Sequence, residues 1–460
     1  MRAGVARACI TPPVGTWQGG YGARTRPAEG THDDLYARAV VLAADGAAPM
    51  AAVVSLDVVS VPHDVAAEAR RLASAQTGIP AGNIALCASH THGGPLTRGN
   101  SGAATPQPDA DYLRVLEKTI AGAVAAAARD LRPVTLRLGR GRAGFHVNRR
   151  ERTASGTLMR PNPDGPIDRD VIVLRLDPAG ADASGAAPVS PTPLAVLFRF
   201  TCHATSMGAQ NYRFTADYPG AAAAFVEAAY GGQAVALFLQ GCTGDVRPHL
   251  VNAEGNFRGA TWAELAGIGR EVGGAAVAAA ESARPPGPAA PGAGGDRLGV
   301  AGRTVPLEYA PLPDAEALKR LLASGRSPEG RDLTATERHW AERVVESLAA
   351  GATPEPVLAE VQVFRLGPVW LVTLPGEVFV EIGWRVRDAV AAAAGTDPGL
   401  VVVAAYTNGN VGYVPTGAAI PEGGYEVTAY RHMGRLAGYA PETEHLLAAT
   451  AAGLAASLVA

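Results

Sequence analysis

With 460 residues, 47% of them hydrophobic and 18% charged, the chain has the make-up of a globular protein with a large core. A formal net charge of -3 gives no electrostatic case for nucleic acid or an anionic membrane surface, and no uninterrupted apolar run of about 18 residues suggests a membrane span. The four cysteines (Cys9, Cys87, Cys202, Cys242) form no CxxC pair, and the amino terminus lacks a basic segment followed by an apolar stretch. The expectation is a cytoplasmic protein in a reducing compartment, with no signal peptide.

Strand-like and helix-like segments alternate. Residues 38–43 and 50–57 read as strands and 64–76 as an amphipathic helix. A strand at 84–88, a helix at 112–129 and strands at 135–140 and 171–176 follow. The Ala/Gly/Ser/Pro-rich stretch 178–193 reads as a loop. Strands at 194–201 and 235–239 flank an Ala-rich helix at 220–230, and a helix at 261–282 comes next. Residues 284–296 read as a second long loop, and 314–323 and 336–350 as helices, the latter with a Thr334/Glu337 capping pattern. A hairpin, 357–366 with 369–373, turns at Gly367-Pro368, and a helix at 441–458 closes the chain. This order predicts one α/β domain over 1–460 with a mixed sheet core flanked by helices.

The most informative stretch is Ser89-His90-Thr91-His92-Gly93-Gly94-Pro95, directly after the apolar run 84–88. In extended backbone, residues two apart point to one side, so both imidazoles can face one cavity. The glycines and Pro95 would end the strand and let a substrate approach the backbone. Cys202-His203, Glu377 after Leu374-Pro375-Gly376, and Tyr413 before Val414-Pro415 also lie just past apolar, β-branched runs. That is where open α/β sheets place their sites. Imidazoles, a carboxylate and a phenol suit zinc, without excluding other divalent metals. Asp217 reads as a helix cap, Asp57 as a structural residue, and His249 is noted because it lies two residues past Arg247.

These segments resemble the catalytic domain of the neutral/alkaline ceramidase family over nearly the whole chain. The blocks are Gly4–Pro12 (GVARACITP), Gly20-Tyr21-Gly22, His32–Ala39 (HDDLYARA), Ser55-Leu56-Asp57, Ser89–Pro95, Phe238–Pro248 (FLQGCTGDVRP), Leu374–Glu377 and Tyr413–Thr416 (YVPT). The resemblance implies one zinc ion held by His90, His203, Glu377 and Tyr413. It further implies His92, Arg149 (after Asn148) and Tyr425 (before Glu426) as catalytic groups, and Gly20 at the substrate.

Two departures matter. Arg247 stands where the family's ceramidases carry a Ser, and Arg can be neither a nucleophile nor a general base. The chain also stops about 35 residues after Tyr425, too few for the β-sandwich of roughly 100 residues that follows in those enzymes. The expectation is a zinc-dependent hydrolase of a small linear amide other than ceramide, acting through metal-activated water. Arg247 would contact the substrate, pairing with a carboxylate on it. An esterase, lactonase or acyl transferase on the same metal, or a non-catalytic binding protein on the same fold, is the alternative reading. Substrate identity and oligomeric state are left open.

Overall fold

The computed structural model describes residues 1–45, 50–99, 106–154, 156–179, 191–287, 297–327, 331–351 and 354–459. In chain order the first half comprises β1 (Arg2–Cys9), β2 (Gly30–Thr31), β3 (Tyr36–Ala43), β4 (Met50–Leu56), α1 (His63–Thr77), β5 (Ile84–Ala88), α2 (Ala110–Arg129), β6 (Arg132–Arg142), β7 (His146–Thr153), β8 (Gly156–Asn162), β9 (Asp170–Pro178) and β10 (Ala195–Phe200). Then come β11 (Arg213–Phe214), α3 (Asp217–Ala229), β12 (Val235–Gln240), β13 (Val246–Pro248), α4 (Trp262–Ser282) and β14 (Leu298–Leu307). The remainder is α5 (Ala315–Ser324), α6 (Ala335–Ala349), β15 (Val357–Leu366), β16 (Val369–Thr373), β17 (Glu377–Val378), α7 (Val380–Ala394), β18 (Val401–Ala404), β19 (Tyr413–Val414), α8 (Tyr425–Thr428) and α9 (Thr443–Val459).

Local chemistry sets many of these boundaries. Asp109 caps α2 by accepting from the backbone N–H groups of Asp111 and Tyr112. Thr261/Glu264 and Thr334/Glu337 form capping boxes at α4 and α6. Gly78, left-handed at φ 74, ends α1.

An eight-stranded mixed sheet runs β12-β10-β9-β6-β1-β3-β4-β5, and a four-stranded one runs β14-β15-β16-β18. The larger sheet is antiparallel in its middle, with one parallel pair at each end, β10/β12 and β4/β5. It curls back on itself: the Ser55 hydroxyl of β4 donates to the Phe238 carbonyl of β12 at 2.7 Å. Val40, Leu42, Val53, Leu174, Leu197, Leu237 and Leu239 fill the inside of the curl against Phe364, Leu371 and Val402 of the smaller sheet. Each such side chain contributes roughly 1.5–3 kcal/mol when fully buried. Outside, α3 and α4 pack on β9, β10 and β12 through Ala222, Val226, Leu265 and Val272. Helices α1 and α2 cover the β3–β5 half, and α7 and α9 pack beside the smaller sheet.

Strand ends then meet. The Ala88 N–H at the end of β5 donates to the Tyr406 carbonyl, and the Ala405 N–H after β18 donates to the Gln240 carbonyl at the end of β12. The mixed α/β expectation is met. Residues 180–190 and 288–296 of the two expected loops lie outside the described residues. The β7–β8 hairpin and α7 were not anticipated. Most of β8 carries exposed or half-exposed side chains with no alternation to read, whereas α7 follows Glu377 so closely that its start merges with the preceding motif.

Candidate metal centre

Each predicted ligand leaves the end of a different strand. His90 lies two residues past β5 and His203 three past β10, while Glu377 and Tyr413 begin β17 and β19. Those last two strands pair in parallel with Glu377 directly beside Tyr413, so both side chains project from one face.

The His-Thr-His segment is not the extended strand expected from its sequence. His90 has φ 60, a left-handed conformation that costs a β-carbon-bearing residue on the order of 1–2 kcal/mol. The two rings meet because of that kink, nearly perpendicular at 80°, and not through strand alternation. Tyr406, packed on the His90 ring at 4.3 Å, is left-handed as well, at φ 59. Strain of this kind persists only where the surroundings over-determine it, and it clusters at functional sites. Gly93 also departs from expectation: a β-carbon there would lie 2.6 Å from the Thr215 carbonyl oxygen. It admits a neighbouring strand of protein, not a substrate.

Proton bookkeeping defines the centre. The His90 Nδ1–H donates to the Val59 carbonyl at 2.6 Å, and the His203 Nδ1–H donates to the Thr243 carbonyl at 2.8 Å. A carbonyl only accepts, so both rings hold their proton on Nδ1 and present a bare Nε2. Those two Nε2 atoms are 3.0 Å apart, and Glu377 Oε2 lies 3.4 Å from the first and 3.2 Å from the second. Three buried acceptors thus face one point. Ligand atoms about 2.0–2.1 Å from a tetrahedral zinc stand roughly 3.3 Å apart, so the spacing fits a small cation.

Burial, then Arg149, lowers His203 to about 3.

His92 completes a three-histidine cluster whose ring nitrogens lie within 4.8 Å of one another. Its Nε2 is 3.1 Å from His90 Nε2, while its Nδ1 is sealed from solvent without a partner. Lacking the carbonyl anchor of the other two rings, it is a poorer ligand than Glu377. Burial and the two neighbouring imidazoles keep it neutral, well below the usual histidine range. Gly20, at φ +91, exists to admit this ring: a β-carbon there would come within 2.4 Å of His92 Cγ. The Tyr21 ring meets His92 edge-on at 4.7 Å, and Arg24 donates to the His92 carbonyl at 2.7 Å.

Arg149 braces the other side. Its Nη2 donates to the Tyr413 hydroxyl at 3.0 Å and to the Gly244 carbonyl at 2.7 Å, while Nε pairs with Glu426 at 2.7 Å. Tyr425 packs against Tyr413 at 5.6 Å and is 42% exposed. Arg247, on β13 beside β7, stacks on Phe257 at 4.2 Å. His249 is exposed and takes no part. Asp57 pairs with Arg38, and Asp217 accepts from the N–H groups of Tyr218 and Met207 at the start of α3. The buried Cys202 thiol, pushed far up by burial, points to the His203 carbonyl.

The structure therefore gathers every predicted site residue into one region. Sequence reasoning missed the anchors: the Val59 carbonyl, Thr243, Tyr406, Tyr21, Arg24 and Glu426. Tyr21, Thr243 and Glu426 sit inside or next to the matched blocks, but nothing local marks a backbone carbonyl as a histidine anchor.

The model of the neutral/alkaline non-lysosomal ceramidase N-terminal domain matches residues 1–262, so the chain belongs to that family. Among solved structures, a neutral ceramidase from Pseudomonas aeruginosa is similar at TM-score 0.71 and 21% identity, covering 100% of this chain and 74% of that one. A ceramidase complexed with C2 is similar at TM-score 0.72 and 20% identity, covering 99% and 75%. At these identities the likeness is one of fold. No curated protein sequence matches the chain.

Proposed function

We propose that this protein is a zinc-dependent hydrolase that cleaves a linear amide with water, yielding a carboxylic acid and an amine, and that its substrate is a small amide other than ceramide. The observation that carries this reading is the convergence of His90 Nε2, His203 Nε2 and Glu377 Oε2, three acceptors with no donor between them. A bound cation would satisfy all three acceptors at once. His90, His203 and Glu377 would hold the ion, with Tyr413 as fourth ligand. A bound zinc ion supplies Lewis-acid polarisation and an activated water near neutral pH.

The chain's own groups supply the rest. Arg149 holds the Tyr413 oxygen in place by donating to it; burial pushes the Tyr413 hydroxyl well above the usual phenol range, and Arg149 acts against that. His92 is neutral and set beside the ligands. With the His90 lone pair engaged, its Nε2–H is free to donate to a carbonyl oxygen as negative charge develops there. Tyr425 lines the solvent side. Arg247 in place of a Ser leaves water as the direct nucleophile and argues against ceramide.

Elemental analysis of the purified protein should find one zinc per chain, and His90→Ala or His203→Ala should lose most of it. Full occupancy in both variants overturns the ligand set. The zinc-loaded protein should release amine from small amides and negligible fatty acid from a short-chain ceramide. Ceramide turnover near about 10 per second, typical of enzymes on their own substrates, overturns the substrate reading.

A further inference from the structure

Arg247 stands out among the arginines near the site. Arg38 is paired with Asp57 and Glu227, Arg149 and Arg150 with Glu426, and Arg199 with Asp168. Arg24, which has no carboxylate, donates to the carbonyls of Gly19, Asn211 and His92. Arg247 has neither kind of partner among the described residues, and its Nε is sealed from solvent and unsatisfied. The ionisable groups that act on it most strongly are Tyr21, Arg149, Cys202 and Tyr413: two phenols, a thiol and another guanidinium. No carboxylate is among them. The neighbouring residue on β13, Val246, accepts from the His203 N–H at 3.4 Å, so Arg247 borders the proposed metal centre. Its position is fixed by the Phe257 ring and by the pairing of β13 with β7. A guanidinium whose Nε is sealed from solvent without an acceptor is costly, and a guanidinium is shaped to take a carboxylate through two parallel hydrogen bonds.

We propose that Arg247 receives a carboxylate of the substrate, so that the amide cleaved is an acidic one, with a carboxylate a few bonds from the scissile carbonyl. N-acyl amino acids carry it on the amine half and dicarboxylic monoamides on the acyl half. This rests on the amide-hydrolase reading above. It deepens that reading by making charge on the substrate the basis of selection.

The test uses zinc-loaded protein and matched pairs: N-acetyl amino acids beside their C-terminal amides, and dicarboxylic monoamides beside the corresponding diamides. Binding is measured by titration calorimetry and turnover by amine release. The wild type should bind the charged member of at least one pair on the order of a hundredfold more tightly. Arg247→Ala should abolish that preference with zinc content intact. Arg247→Lys should keep part of it, because the charge remains and the planar fork is lost. Arg247→Ser, which restores a neutral hydroxyl, should behave like the Ala variant toward carboxylates.

Equal binding of charged and uncharged members by the wild type overturns the inference. So does failure to bind any charged member, or a preference that survives Arg247→Ala. Absence of turnover with both members of every pair, alongside Arg247-dependent carboxylate binding, instead overturns the hydrolase reading and leaves Arg247 as a carboxylate-binding site only.

Discussion

Arg38 and Glu377 are both charged and almost sealed from solvent, yet their surroundings are opposite. Arg38 donates to Asp57 at 2.9 Å and Glu227 at 3.3 Å, Asp57 accepts again from the Tyr36 N–H, and Glu227 accepts from Arg7 at 2.6 Å. Donors and acceptors balance within the protein. Around Glu377 they do not: its Oε2 faces two imidazole nitrogens that are themselves acceptors, and it has no hydrogen-bond donor. A closed network holds strands β1, β3 and the helix α3 together. The open one aims three acceptors at a single point. Burial of polar groups does not by itself separate structure from function; the sign of what is missing does.

His146 sharpens the contrast. Like His90 and His203 it is a buried imidazole with one N–H given to a carbonyl, here that of Asp168 at 3.0 Å. Its other nitrogen is also unpartnered, but it packs edge-on to Phe200 at 4.9 Å and belongs to no cluster of ligand atoms. One free lone pair is tolerable beside an aromatic ring, whereas three aimed at one point are not.

The largest expected effect is on the closed network. Arg38→Ala leaves the buried Asp57 without a cation and should cost about 3–5 kcal/mol in chemical denaturation. Zinc content of the folded fraction should be unchanged. A loss below about 1 kcal/mol would show that the network is not closed in the sense argued.

Next comes His146. Burial lowers its pKa to about 4, beneath the unfolded value of 6.5. The unfolded chain therefore takes up the proton first, and stability present above pH 6.5 is lost as the pH falls toward 4. The contribution is on the order of 3 kcal/mol at full extent. His146→Gln keeps a donor for the Asp168 carbonyl and should flatten the stability profile in that window. An unchanged profile would remove His146 from the acid response.

The smallest effect concerns the open network. Zinc at a hundred times its dissociation constant should add about 2.7 kcal/mol to wild-type stability, and chelation should remove it. His203→Ala should show no such difference in melting with and without chelator. An equal shift in both would mean that the metal binds elsewhere.

Much of the site was readable from residue type and position. His90, His203, Glu377 and Tyr413 each follow an apolar, β-branched run, and all four come to one place. Capping residues marked helix starts as well: Thr334 with Glu337 does what its spacing predicts. The exposed face of β8 and the merged start of α7 gave no period to follow.

By itself the sequence determined the alternation of strands and helices, the mixed α/β class and the residue types offered at strand ends, because periodicity, caps and turns are local properties. Tertiary structure decided the rest. It curled the eight-stranded sheet so that its strand ends meet the smaller sheet, and it forced His90 and Tyr406 into left-handed backbone. It also set which ring nitrogens carry protons, through the carbonyls of Val59 and Thr243. It left Arg247 without an anion among the described residues. These depend on groups far apart in the chain, and whether a buried charge has a partner is a property of its neighbours in space.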